Sequence, residues 1–445
     1  MIFSLTSIFL AILWIILGTS YTKWHPFLVL FTAALFLAVL LNIPPLEILE
    51  LIKEGFGKIV KNIGLLILFG TIIGVVLERS HATLSIAKWV LKHLNRLPLA
   101  YSVSFIGYLV SIPVFCDAAF VILSQLNKTL SQQTNTPLAG LTVALSAGLF
   151  APHVLIPPTP GPLAASANLN LENLILLIAV GGIISFILIL VGGAYGNYLI
   201  KKSRKMKHKK DLQYTNPRMQ QKNLPPFMIA ILPILIPILL MSIGGLLTFL
   251  PSSTTWVSYL SLITNPTIAL GVGMLYAFRL VKSENRSFIH ESISKGIEQA
   301  APILIITGMG GALGTIIETI PLQSYAIEIT SLESLGILIP FVIAALLKTA
   351  QGSSTVAIIT ASSIIFPLLP LLGLESEMGK VWTIMAIGVG SMTVSHANDS
   401  YFWIVSQLSD MDVKTAYKTH TLGTFFQGMV GLVVVFIGYS IWNFF

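Results

Sequence analysis

The stretch "APHVLIPPTPGPLAAS", residues 151–166, decides the fold, because it is too apolar for a loop and too rich in proline for a helix. Pro152, Pro157, Pro158, Pro160 and Pro162 surround Gly161, and no charged residue interrupts them. Proline lacks an amide hydrogen and disrupts the preceding helical turn, so the sequence predicts no continuous helix here. Unwound backbone at membrane depth persists only where protein or an aqueous cavity covers it. The stretch therefore reads as a broken or re-entrant element, with an unusually apolar external loop as the alternative.

The surroundings are those of a membrane protein. Of 445 residues, 55% are hydrophobic and 10% charged, where a soluble chain is about a quarter charged. Mean hydropathy is +0.85. Residues 2–22, 24–46, 173–200, 223–278, 349–374 and 421–445 contain no Asp, Glu, Lys or Arg. About twenty apolar residues cross the hydrocarbon core as a helix. Barrel strands would alternate apolar and polar residues, and these runs are apolar all round. The expected class is an all-α polytopic membrane protein with roughly ten to thirteen membrane elements.

The net charge of +8 is concentrated in one place. "KKSRKMKHKK" (201–210), Arg218 and Lys222 hold nine of the 26 basic residues against one acid, Asp211. A basic loop between spans is a cytoplasmic signal, and anionic lipid headgroups are natural partners for it. No aromatic or fold motif accompanies the charge, which argues against nucleic acid. The opening "MIFSLTSIFLAILWIILG" has no basic n-region or small-x-small site and reads as a retained helix, not a signal peptide. A single cysteine, Cys116, excludes an intrachain disulfide. No cofactor or metal is expected.

The basic linker divides the chain into an N-terminal half, 1–200, a linker, 201–223, and a C-terminal half, 224–445. The halves share their punctuation. "GTIIGVVLE" (70–78) and "GGALGTIIE" (310–318) pair Gly70 with Gly310, Gly74 with Gly314 and Glu78 with Glu318, all at one common offset. "IKEG" (52–55) matches "ISKG" (293–296), polar breaks follow at "PVFCDAAF" (113–120) and "KTAQGSST" (348–355), and each half then sets a histidine after a glycine. Small-xxx-small pairs are common in membrane helices. Their shared order points further, to an internal duplication of the kind that surrounds a midplane site in secondary transporters.

Three more segments are interrupted. In "SIPVFCDAAFVIL" (111–123) Asp117 sits among apolar neighbours. An intramembrane carboxylate is costly and faces protein or water, unless the span simply ends there. In "LLKTAQGSSTVAIITASS" (346–363), Gly352, Ser353, Ser354 and Thr355 precede an apolar run and read as a helix N-terminus. Such an end offers hydroxyls, amide hydrogens and a positive dipole to an anion, with Lys348 adding a full charge; an ordinary cap beside a snorkelling lysine is the alternative. In "GVGSMTVSHANDSYFWIV" (388–405), His396 and Asp399 suit a proton relay, while Asn398 or Asp399 could equally cap the next helix.

Together these stretches resemble the gluconate permease family of proton-coupled carboxylate symporters, within the ion-transporter superfamily. The carrying motifs are "IPVFCDAAFVIL", "PPTPGP", "QGSSTVA", "SHANDSYFWIV" and "KTAYKTHTLGT" (414–424), in matching order from about residue 50 onward. The resemblance implies an inner-membrane permease for gluconate-like hydroxy acids or relatives such as glycerate or D-serine. It also implies two related halves, broken helices or hairpins meeting near the midplane, and an elevator-type motion; an inverted repeat is the expected arrangement, its parity depending on the count of true crossings. Two positions depart from the pattern. Family members often have a histidine where Thr159 stands and an arginine where Lys348 stands, and lysine does not reproduce bidentate carboxylate binding.

The expectation is a secondary symporter that imports a small organic anion with protons, or with sodium. Thr159, Gly161, Lys348, Gly352, Ser353, Ser354, Thr355 and Asn398 are its candidate substrate residues, and Asp117, His153, His396 and Asp399 its candidate proton-coupling residues. Membrane lipid and a second copy of the chain, as a homodimer, complete the expected partners. An intramembrane enzyme is disfavoured by the lack of a Gly-x-Ser-x-Gly elbow or a His-Glu-x-x-His motif. A nucleotide-driven pump is disfavoured by the lack of a P-loop, and a channel by the duplicated breaks.

Overall fold

The computed structural model describes residues 2–20, 22, 24–94, 96–206, 224–247, 255–280, 286–320, 336–396 and 399–444. All regular structure among these is helical. The first half contributes α1 (Ile2–Ser20), α2 (Pro26–Leu40), α3 (Pro45–Arg79), α4 (Ala82–His93), α5 (Leu99–Ser111), α6 (Cys116–Gln133), α7 (Leu138–Leu155), α8 (Pro160–Asn168) and α9 (Leu174–Met206). The second contributes α10 (Phe227–Leu247), α11 (Thr255–Thr264), α12 (Pro266–Ala277), α13 (Arg286–Glu318), α14 (Leu338–Gln351), α15 (Ser354–Ile365), α16 (Glu377–Met392), α17 (Ser400–Leu408), α18 (Val413–Ala416) and α19 (Leu422–Phe444). A π-helical turn, Tyr417–Thr421, joins the last two. Five stretches are long and apolar enough to cross a membrane, and seven shorter apolar helices accompany them among the described residues. The chain is a multi-pass helical membrane protein.

Helix starts recur along the chain. Pro26 and Pro266, Pro45 and Arg286, Leu99 and Leu338, Cys116 and Ser354, Leu138 and Glu377, Pro160 and Ser400, and Leu174 and Val413 open successive helices at a nearly constant separation. The packing recurs too: α2 lies on α13 as α12 lies on α3, α5 on α7 as α14 on α16, and α8 on α15 as α17 on α6. Of the linker, residues 201–206 end α9, and 207–223 lie outside the described residues.

α3 and α13 form the most extensive helix pair. A Cβ on Gly55 would come within 2.6 Å of the Gly311 carbonyl, and one on Gly311 within 2.7 Å of the Gly55 carbonyl. The missing side chains let the two backbones touch, which is how small residues drive helix association in lipid. Further along, Thr71 donates to the Gly296 carbonyl at 3.0 Å and Arg79 pairs with Glu291 at 2.5 Å. Rising numbers on α3 meet falling numbers on α13, so the two run antiparallel. Gly70 and Gly74 face the carbonyls of Pro158 and Pro113, bringing α3 against both broken segments of the first half.

The breaks are shorter than the sequence predicts. α7 continues through Pro152 to Leu155, and α8 restarts at Pro160, so only residues 156–159 are unwound. Pro160 opens α8, where its fixed φ suits the first turn and no amide hydrogen is missed, and Pro162 follows in the same turn. The other breaks lie between Ser111 and Cys116, at Gly352–Ser353, and between Met392 and Ser400. Gly352 adopts φ 76°, the left-handed conformation that closes a helix C-terminus. Val394 has φ 61°, an uncommon conformation for a β-branched residue and a mark of local strain.

Candidate functional site

Three of the four breaks end in a helix N-terminus facing one cavity of about 370 Å³. α6 contributes Cys116 and Asp117, α15 contributes Ser353 to Val356, and α17 contributes Asp399 and Tyr401. Phe150 and His153 of α7 form one wall, and Gln299 to Ile306 of α13 another. The first amides of each helix lack intrahelical partners and carry the positive end of its dipole. Ser353 caps α15, accepting from the Val356 amide at 3.4 Å, and Asp399 caps α17, accepting from the Tyr401 amide at 3.0 Å. The predicted helix N-terminus at "QGSST" and the predicted cap at Asp399 both form.

Lys348 and Asp399, far apart in the sequence, make a buried ion pair. Lys348 Nζ lies 2.6 Å from Asp399 Oδ2, with the two side chains 1% and 4% exposed. The same ammonium donates to the Gly352 carbonyl at 2.9 Å and stands 5.8 Å over the Phe150 ring. Burying two charges is tolerated only where they pair closely and their remaining valences are filled. Asp399 Oδ2 also accepts from Ser395 Oγ at 2.5 Å. The sequence placed Lys348 and Asp399 in separate roles, and the fold joins them.

The other predicted residues divide. Asp117, His153, Ser353, Ser354, Thr355 and Asp399 line the cavity. His153 Nε2 lies 3.5 Å from Thr355 Oγ1, and its buried Nδ1 has no hydrogen-bond partner among the described residues. Lys348 and Gly352 sit outside the lining, reaching it through Asp399. Thr159 and Gly161 are buried beside it but do not line it: Thr159 Oγ1 donates to the Ile156 carbonyl, and Gly161 packs on Ile358. His396 is half-buried and likewise outside the lining. Asn398 lies outside the described residues.

A buried polar chain behind Asp399 went unread in the sequence. His420 Nε2 is 3.1 Å from Ser395 Oγ, and its Nδ1 is 3.2 Å from Ser146 Oγ on α7. Tyr401 donates to the Ser146 carbonyl at 3.0 Å, and its ring meets the His420 ring at 5.6 Å. His420 is 1% exposed and sits in the π-helical turn. Such turns frequently mark functional sites. The available signal was a histidine inside "KTAYKTHTLGT", a motif read for its resemblance alone.

The GntP family permease model matches residues 3–441. An uncharacterized permease of Haemophilus influenzae is 32% identical over 412 residues, covering 88% of this chain and 83% of that protein. A gluconate permease of Zymomonas mobilis is 27% identical, covering 98% of this chain and 97% of its own. The D-serine transporter DsdX of Escherichia coli is 26% identical and covers 98% of each. Among solved structures, the YdaH transporter of Alcanivorax borkumensis shares the fold with a TM-score of 0.65 at 15% identity, over 94% of this chain and 99% of that one. Neisseria gonorrhoeae MtrF gives 0.58 at 15% identity, over 88% and 83%. With its apolar helices, the chain is a multi-pass inner-membrane protein, and it belongs to the GntP family of permeases.

Proposed function

We propose that the protein is a proton-coupled symporter importing a small organic anion, gluconate or a related hydroxy acid. The observation that carries this reading is the cavity itself, where helix N-termini, hydroxyls and a buried lysine–aspartate pair converge. Its volume of about 370 Å³ is at the lower end of the range of roughly 300–1,000 Å³ for small-molecule sites. The amides opening α15 and the hydroxyls of Ser353, Ser354 and Thr355 would hold a carboxylate, and Lys348 would supply the full charge. Asp117 and Asp399, the two acids on the lining, would carry coupling protons. D-serine as substrate forms a second reading, supported by the likeness to the D-serine transporter DsdX; glycerate as substrate and sodium as coupling ion are the alternatives the vesicle assay separates.

The antiparallel α3 and α13, with helix starts recurring at a nearly constant separation, support an inverted repeat. Elevator-type motion would then carry the broken helices past the α3–α13 pair. Reconstituted vesicles test the function: labelled gluconate, glycerate and D-serine are offered under an imposed proton gradient, a sodium gradient, or neither. Accumulation that follows the proton gradient and collapses with a protonophore is expected. Uptake indifferent to both gradients would refute the symport.

A further inference from the structure

We propose that His420 holds the coupling proton, on a ring linked through Ser395 to the Lys348–Asp399 pair. The proposal rests on the symport reading above and assigns it a residue outside the cavity lining. Its basis is a count of hydroxyl protons. Ser146 Oγ donates to the Val143 carbonyl at 3.1 Å, and Ser395 Oγ donates to Asp399 Oδ2 at 2.5 Å. A hydroxyl has one proton and two lone pairs. Both serines therefore turn lone pairs toward His420, on Nδ1 and on Nε2. An imidazole facing two acceptors is satisfied when both nitrogens carry hydrogen, which is the protonated ring. The neutral ring needs one rotation of the Ser146 hydroxyl, away from Val143 and toward Nδ1. The hydrogen bonds alone accept either state at the cost of one bond, while burial of the ring works against the charged one.

The charges explain why this proton would travel with an anion. The charged groups acting on His420 are Asp399 and Lys348, across Ser395. Ser146 faces it from α7, Tyr401 from α17, and Lys418 shares its turn. Asp399 and Lys348 neutralise each other, so a protonated His420 leaves these three groups one positive charge in excess, which Asp117 on the lining offsets only while it is ionised. A buried charge demands a counter-charge, and a monoanion in the cavity provides it. Once Lys348 engages the substrate carboxylate, Asp399 loses its counter-ion. The proton then passes from His420 Nε2 to Ser395 Oγ as the Ser395 proton passes to Asp399 Oδ2. A neutral ring, an intact hydroxyl and a neutral acid remain. Anion and proton each favour the other's binding by the same factor.

The test uses the full chain in proteoliposomes with labelled gluconate, glycerate and D-serine as probes. At an inward proton gradient of one pH unit and zero membrane potential, one proton per substrate molecule lets the wild type accumulate its probe about tenfold. His420→Gln keeps a hydrogen-bonding side chain without a titrating group; its accumulation ratio is expected to fall to about one while slower downhill entry persists. Substrate addition should also cease to draw protons from the medium. Accumulation by H420Q equal to wild type overturns the proposal, and so does loss of downhill entry in the same proportion, which marks a structural role. Should H420Q fail to insert, Ser395→Ala cuts the link with the ring in place; the same loss is expected, and retained accumulation is refuting. A wild type that ignores the proton gradient fails the symport reading and this proposal together, whereas a proton-driven wild type beside a proton-driven H420Q fails this proposal alone.

Discussion

Replacing Asp399 with asparagine separates the charge of the buried pair from its other duties. Asparagine is as good a helix cap as aspartate, so the bond from the Tyr401 amide survives in D399N. What goes is the counter-charge of an ammonium 2.6 Å away whose side chain is 1% exposed. Breaking a buried pair from one side costs about 3–5 kcal/mol. With an unfolding entropy of about 2.1 cal/mol/K per residue over 445 residues, a loss of about 4 kcal/mol lowers Tm by about 4 °C. Lys348→Met should cost a similar amount, stranding the carboxylate. The K348M/D399N double variant removes both charges and should return to within about 1 kcal/mol of wild type, since neutral replacement of buried pairs is often harmless. Thermal melts of the four purified proteins in one detergent complete the cycle. Costs that simply add in the double variant, or a D399N protein melting with wild type, would refute the pairing.

Two glycines with the same place in the Gly-x3-Gly-x3-Glu pattern should behave oppositely. A Cβ on Gly74 meets the Pro113 carbonyl at 2.6 Å, so Gly74→Ala should destabilise by about 1–3 kcal/mol in a melt, whereas Gly314 has nothing within 4 Å and Gly314→Ala should be nearly silent. Thr355→Val removes a cavity hydroxyl worth about 1 kcal/mol, so uptake kinetics should show KM raised roughly fivefold with Tm unchanged. Asp117 lines the cavity and His396 does not. In proton-driven uptake, D117N should therefore lose accumulation while H396A retains it.

The frame was legible because its determinants are local. Proline and Gly352 act within a turn or two of where they stand, and the breaks at 112–115, 156–159 and 352–353 appear beside them. The break at 151–166 was overestimated because proline's rule depends on position: Pro160 and Pro162 fall in a first turn where no amide is needed. The site was legible only in pieces. Ser353, Ser354 and Thr355 could be read as a helix N-terminus, and Asp117 as an acid among apolar neighbours, because both are features of the local sequence. The Lys348–Asp399 pair could not, because its members belong to separate segments, and only the fold brings the break before α17 to the end of α14. His420 was harder still, since its partners Ser146 and Ser395 lie in two other segments and nothing local marks a π-helical turn. Thr159 and Gly161 show the converse: a conspicuous motif at the right depth whose side-chain positions pack on Ile156 and Ile358 instead of facing the cavity.

The recurrence of helices between the two halves has a consequence for how failure spreads through the molecule. Aligned by the paired helix starts, Lys348 falls on Leu109, Asp399 on Thr159 and Asp117 on Thr355. Helix starts and packing recur, but each buried charge at the site comes once among the described residues. A damaged helix in one half has a counterpart that shows what it should look like. A damaged charge has no understudy, so helices that share their packing differ in what each can afford to lose.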